Sequence, residues 1–119
     1  MNDANQDLRS RTKHFALTVI RFYAILPNHT AAQVLGKQVL RSATSVGAHY
    51  REACRARSAA EFISKMEGGL QELDETAYWL ELLTESDIAP IHVVTPIQNE
   101  TKELIAIFVA SVKTAKSNR

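Results

Sequence analysis

An all-α fold, arranged as an antiparallel up-and-down four-helix bundle, is predicted by three features of this 119-residue sequence. Apolar and small residues recur at three- and four-residue spacing through four long stretches. Breaks carrying proline or helix-capping residues separate those stretches. No run of alternating apolar and polar residues supports a strand. Four helices of about 18 to 28 residues with short connections pack as sequential antiparallel neighbours. The expected organisation is one domain over residues 1–119 with helices at about 6–26, 31–55, 59–86 and 96–115.

Helix one follows from Leu8, Thr12, Phe15, Val19, Phe22 and Leu26, which keep one face inward, with Ile20 and Tyr23 widening the stripe. Pro27 ends it, since proline lacks a backbone donor and disfavours helix in the preceding residue. Helix two carries Leu35, Val39, Ser42, Val46, Tyr50 and Ala53 inward. Ser58 and Glu61 have the spacing of a capping box, so helix three starts there and buries Phe62, Met66, Gly69, Leu73, Thr76, Leu80 and Leu83. Thr95, Pro96 and Gln98 read as a second capping box, with proline at the first helical position, ahead of Ile97, Thr101, Leu104, Phe108 and Val112.

Helix two is unusually thin. Gly36, Leu40, Ala43, Gly47 and Cys54 form a stripe beside Ser42, Ser45 and Ala48. One reading sets this face against bulky Trp79, Phe62 and Phe108 of its own bundle, large against small. A second, compatible reading has it packing inside the bundle and against a neighbouring subunit. Buried hydroxyls on it are satisfied by the preceding turn or by Glu72 or Glu75.

Composition bounds the function. With 45% apolar and 23% charged residues and few glycines and prolines, the chain is that of a folded protein. Cys54 is the only cysteine, so no internal disulfide forms and a reduced, cytoplasmic setting is expected. The polar N-terminus and the lack of a long apolar run argue against export and membrane insertion. A net charge of +1 gives no global argument for nucleic acid, yet residues 1–57 hold nine Lys/Arg against three Asp/Glu, and residues 58–119 five against ten.

Lys37, Arg41, Arg51 and Arg55 follow helical spacing along helix two, and Arg11 and Arg21 share a face of helix one with Arg9 and Lys13 nearby. These six, Arg11, Arg21, Lys37, Arg41, Arg51 and Arg55, are the candidate nucleic-acid contacts. Helix three supplies the opposite sign through Glu67, Asp74, Glu81 and Glu85. A rival reading pairs the basic stripe of one subunit with the acidic stripe of the next, with Ser45, Ala48, Glu67, Asp74, Tyr78 and Glu81 at the oligomer interface. A third leaves both stripes as solvated faces.

Catalysis has little support. His49 and Glu52 have the reversed order of a Glu-x-x-His motif, and Glu72 with Glu75 lacks a histidine, so no metal or other cofactor is assigned. His49 and Cys54, five residues apart, project about 140° from each other and form no local pair. No phosphate-binding glycine loop or nucleophile elbow occurs. The expectation is a non-enzyme.

Residues 40–83 also resemble the central segment of a known family, the four-helix-bundle proteins of 23S ribosomal RNA intervening sequences. The resemblance is carried by Leu40, Arg41, Ala43, Ser45, Val46, Glu52, Ala53, Ser58, Phe62, Lys65, Glu72, Glu75, Thr76, Trp79 and Leu80. His49 and Tyr50 stand where that family has asparagine and isoleucine. A related branch, the accessory variability proteins of diversity-generating retroelements, implies a five-subunit ring that binds nucleic acid and a reverse transcriptase. The expectation is therefore a homo-oligomer, pentameric by resemblance, with RNA or DNA as partner, or else a protein-interaction module.

Overall fold

The computed structural model describes residues 2–118, with side chains from Leu8 onward. It contains helices α1 (Asn2–Ala24), α2 (Thr30–Cys54), α3 (Ala59–Glu85) and α4 (Ile91–Ser117), and no strand among the described residues. The helices run up and down in chain order, giving a rod of 47 × 22 × 19 Å. Its length matches 27 residues at 1.5 Å each, about 40 Å, plus the turns. α2 packs between α1 and α3, and α3 between α2 and α4. α1 and α4 touch over a short stretch only.

Most inward positions read from periodicity are the core, but Ile20, read as widening the α1 stripe, is exposed, and Tyr23, Leu26 and Leu35 are half-buried. Phe15, Val19, Val39, Val46, Met66, Leu73, Leu80, Leu104 and Phe108 are all buried. One position differs on α3, where Ile63 is buried and Phe62 half-buried, because the helix end leaves the Phe62 ring at the rim. Buried hydroxyls are satisfied locally: Thr12 donates to Leu8 O at 2.8 Å and Thr101 to Ile97 O at 2.8 Å. Ser42 and Thr76 bridge α2 and α3 at 2.7 Å, and Thr76 donates to Glu72 O at 2.9 Å, so neither needs the carboxylate of Glu72 or Glu75.

The thin face of α2 seats its neighbours closely. A Cβ on Gly36 would lie 2.7 Å from Leu26 Cδ1 and 3.0 Å from Tyr23 Cδ1, and one on Gly47 would lie 3.3 Å from Thr12 Oγ1. The bulk that fills this face therefore comes from α1 and the turn after it, whereas Phe108 lies over Gly69 of α3. Cys54 does not share the buried stripe: as the last residue of α2 it is exposed.

Caps explain three of the boundaries. Ser58 Oγ accepts from Glu61 N at 3.0 Å, and Glu61 Oε1 accepts from Arg57 N at 3.2 Å, a capping box whose return bond reaches one residue further back. His29 Nδ1 accepts from Ala32 N at the start of α2. α1 closes on three-residue bonds from Ile25 and Leu26, and Gln33 fastens the turn by accepting from Tyr23 OH and donating to Pro27 O.

Helix α4 corrects the sequence reading. It starts at Ile91, with Pro90 as N-cap and no side-chain cap, and Pro96 lies inside it. Thr95 is not a cap, since its hydroxyl donates to Ile91 O at 2.7 Å. Val94, 3% exposed, adds a buried turn before Ile97, and that burial outweighs the single backbone bond Pro96 removes.

Helix α3 ends in a Schellman motif: Ile88 N donates to Leu83 O and Asp87 N to Thr84 O, each at 3.0 Å. The left-handed position is Asp87, at φ 61°, where glycine carries no Cβ penalty. Asp87→Gly should raise stability by about 0.5–1 kcal/mol, read as an increase in the urea midpoint at unchanged slope.

Candidate nucleic-acid interface

Helical spacing puts the six candidate cations on α1 and α2, but the fold sorts them into two kinds. Arg11 is spent inside the chain. Its Nε donates to Glu100 Oε2 at 3.0 Å, and its Nη2 donates to Glu100 Oε1 at 2.6 Å and to Glu103 Oε1 at 3.1 Å. This fork clamps α1 to α4 where the two helices otherwise scarcely meet, and the hydrogen bonds to Glu100 raise the guanidinium pKa above its ordinary value.

Arg41 is spent similarly, on α3. Its Nη2 donates to Glu75 Oε1 at 2.7 Å and its Nη1 to Glu72 Oε1 at 3.2 Å. The bond to Glu75 leads in raising its pKa. At 51% side-chain exposure this pair is a screened surface contact of little stabilising weight. A phosphate must displace two carboxylates to reach Arg41 and two to reach Arg11.

Arg21, Lys37 and Arg55 are exposed and Arg51 is half-buried, and none forms an ion pair among the described residues. Arg51 faces Lys13 of α1 across a shallow depression of about 350 Å³, whose walls are Ala16, Thr44, Gly47 and Ala48. Small residues on both helices leave this space, and a cation stands on each rim.

Of the expected interface residues, Ser45 is half-buried, its hydroxyl donating to Arg41 O at 2.7 Å, and Ala48 is exposed. Glu67 pairs with Lys116 of α4 at 3.2 Å. Asp74, Tyr78 and Glu81 face solvent, and the Tyr78 ring tilts against Trp79 at 5.1 Å between centroids.

Other groups have structural employment. Glu52 pairs with Lys65 at 3.0 Å, which holds its carboxyl below the usual range. His49 lies across α3, its Cε1 so placed that a Cβ on Gly68 would come within 2.9 Å. Among the described residues no three His, Cys, Asp or Glu side chains gather as metal ligands, and no helix is long and apolar enough to cross a membrane. Sequence reasoning gave Lys13 a neighbouring role only and passed over Arg57, because the groove and the α2–α3 connection exist only once the helices pair.

Comparison with known proteins gives a family and a solved structure to set beside this geometry. The family model described as 23S rRNA-intervening sequence protein matches residues 4–110. A crystal structure from Bacteroides thetaiotaomicron, a protein with unknown function from the S23 ribosomal protein family, is 35% identical with a TM-score of 0.86. The alignment covers 92% of this chain and 97% of that one. No curated protein matches the chain.

Proposed function

This chain belongs to the family of 23S rRNA-intervening sequence proteins, and from that premise we propose that it is a non-enzymatic, self-associating helical scaffold that holds nucleic acid on the outer faces of α1 and α2. The observation that carries the reading is the pair Lys13 and Arg51. They flank a groove built from small side chains, with no described carboxylate against either. Phosphodiester chains are recognised by cations free of internal partners, and the small walls admit a backbone closely.

Self-association is supported by exposed apolar side chains on the same helices: Leu17, Ile20 and Val34 are 38%, 46% and 56% exposed. A subunit number of five comes from the family resemblance.

The test measures mass by light scattering and anisotropy of a labelled 20-base-pair duplex on the same preparation. A multimer whose affinity falls steeply with salt is the expected result; a monomer, or no binding at low salt, refutes it. A protein-docking role is favoured by Ile25, Tyr78 and Ile91, exposed at 69%, 53% and 68%. Salt-insensitive capture of one protein with no duplex affinity would select that role.

A further inference from the structure

Antiparallel folding redistributes the charges in a way the linear sequence hides. Contacts of Gly47 with Thr12 and of Gly69 with Phe108 fix the level at which the four helices pass one another. By those contacts the helices pass mid-rod near Lys13, Val46, Glu72 and Ile105, a level that separates two halves, with Lys13 in the half of the α2–α3 connection and Glu72 in the other.

The half with the α2–α3 connection holds nine bases, from Arg9, Arg11 and Lys13 through Arg51, Arg55, Arg57 and Lys65 to Lys113 and Lys116, against Glu52, Glu61 and Glu67 among the described residues. The other half holds Arg21, Lys37, Arg41 and Lys102 against eight acids.

Ion pairing sharpens the contrast. In the basic half every described carboxylate is engaged: Glu52 by Lys65, Glu67 by Lys116, and Glu61 by the Arg57 backbone N–H. In the acidic half Asp74, Glu81, Glu85 and Asp87 form no ion pair among the described residues. The rod is 47 Å long, whereas charges are screened over about 8 Å at physiological ionic strength. A polyanion at one end is therefore shielded from the carboxylates at the other.

We infer that nucleic acid is held by one end of the bundle, through a patch of Arg9, Lys13, Arg51, Arg55 and Arg57, and not along the full length of α1 and α2. This rests on the proposed nucleic-acid role and assigns its location. Lys13 and Arg51 share the groove, Arg55 follows Arg51 by one helical turn, and Arg57 continues into the connection. Arg9 precedes Lys13 by one helical turn on α1. Arg21 and Lys37, at helical spacing with the others in sequence, lie in the half where acids outnumber bases. The ligand recognised is a phosphodiester backbone, common to RNA and DNA.

Five phosphate contacts give a slope of log affinity against log salt of about −4.5 on a duplex, a loss of about 500-fold between 50 and 200 mM salt. The experiment titrates RNA and DNA duplexes of 20 base pairs with the wild type, with Arg51→Gln/Arg55→Gln/Arg57→Gln, and with Arg21→Gln/Lys37→Gln. Light scattering and circular dichroism are recorded on each variant.

The triple variant should flatten the slope by about 3, and the double variant by less than 1. The tighter of the two duplexes identifies the ligand. If the double variant flattens the slope as much as the triple, the end-on placement is wrong and the nucleic-acid role stands. If the triple variant changes mass, the patch serves assembly and the placement is wrong. If the wild type binds neither duplex, the nucleic-acid role fails and this inference with it.

Discussion

Phe108→Ala should remove about 3–5 kcal/mol of stability, the upper range for large-to-small core changes, and lower the thermal midpoint by about 10–20 °C. Phe108 is fully buried on α4, its ring 6.2 Å from that of Tyr50 on α2, and its edge lies where Gly69 of α3 has no side chain. Three helices meet at this ring. The void left by truncation cannot be filled from α3, because glycine has nothing to swing inward, so the cavity persists.

The same seat predicts a partner effect. A Cβ at position 69 would lie 2.7 Å from Phe108 Cε2, closer than carbon atoms tolerate. Alanine gains about 1 kcal/mol of helix propensity over glycine, but overpacking a closed core costs about 1–3 kcal/mol, so Gly69→Ala should destabilise on balance. Phe108→Leu combined with Gly69→Ala should recover part of the loss, a favourable coupling measurable in a double-mutant cycle by urea denaturation. Were Gly69→Ala to stabilise by the full propensity difference, the described seating of Phe108 would be wrong.

This contact shows how far a sequence can be read. That Gly69 and Phe108 both point inward follows from 3.6-residue periodicity, a local property. That they face each other depends on the vertical offset of two helices, which no local pattern encodes. The reading that sets Phe108 against the small face of α2 therefore misses its seat over Gly69 of α3. The start of α4 failed for a related reason: Thr95, Pro96 and Gln98 carry a strong local capping signal, yet burial of Val94, a tertiary fact, extends the helix past it.

The candidate site was legible as a list of cations and not as a surface. Helical spacing put Arg11 and Arg41 with Arg51 and Arg55, and only the fold brings Glu100 and Glu103 to the first and Glu72 and Glu75 to the second. Those partners lie 31 to 92 residues away in sequence. Even the total of +1 misleads, since five of the cations without a described ion pair, Arg9, Lys13, Arg51, Arg55 and Arg57, lie toward one end, while Arg21 and Lys37 lie toward the other.

Arg11→Glu is the second change of large expected effect, at about 2–3 kcal/mol of destabilisation, with Arg11→Ala at about 1–2 kcal/mol. Arg11 is 27% exposed and Glu100 30%, so the fork is partly shielded, whereas Glu103 at 67% adds little. Reversal sets three carboxylates together at the thinnest seam of the bundle, because little else joins α1 to α4. Hydrogen exchange should therefore rise first in α1, ahead of α2 and α3, as local detachment precedes global unfolding. Adding 0.5 M salt should narrow the gap to wild type by screening the new repulsion. A uniform rise in exchange over all four helices, or a gap that salt leaves unchanged, would mean that Arg11 contributes packing and not charge. Because Arg11 has internal partners, Arg11→Ala should also leave the salt slope of duplex binding near its wild-type value, while Arg51→Gln flattens it by about 1.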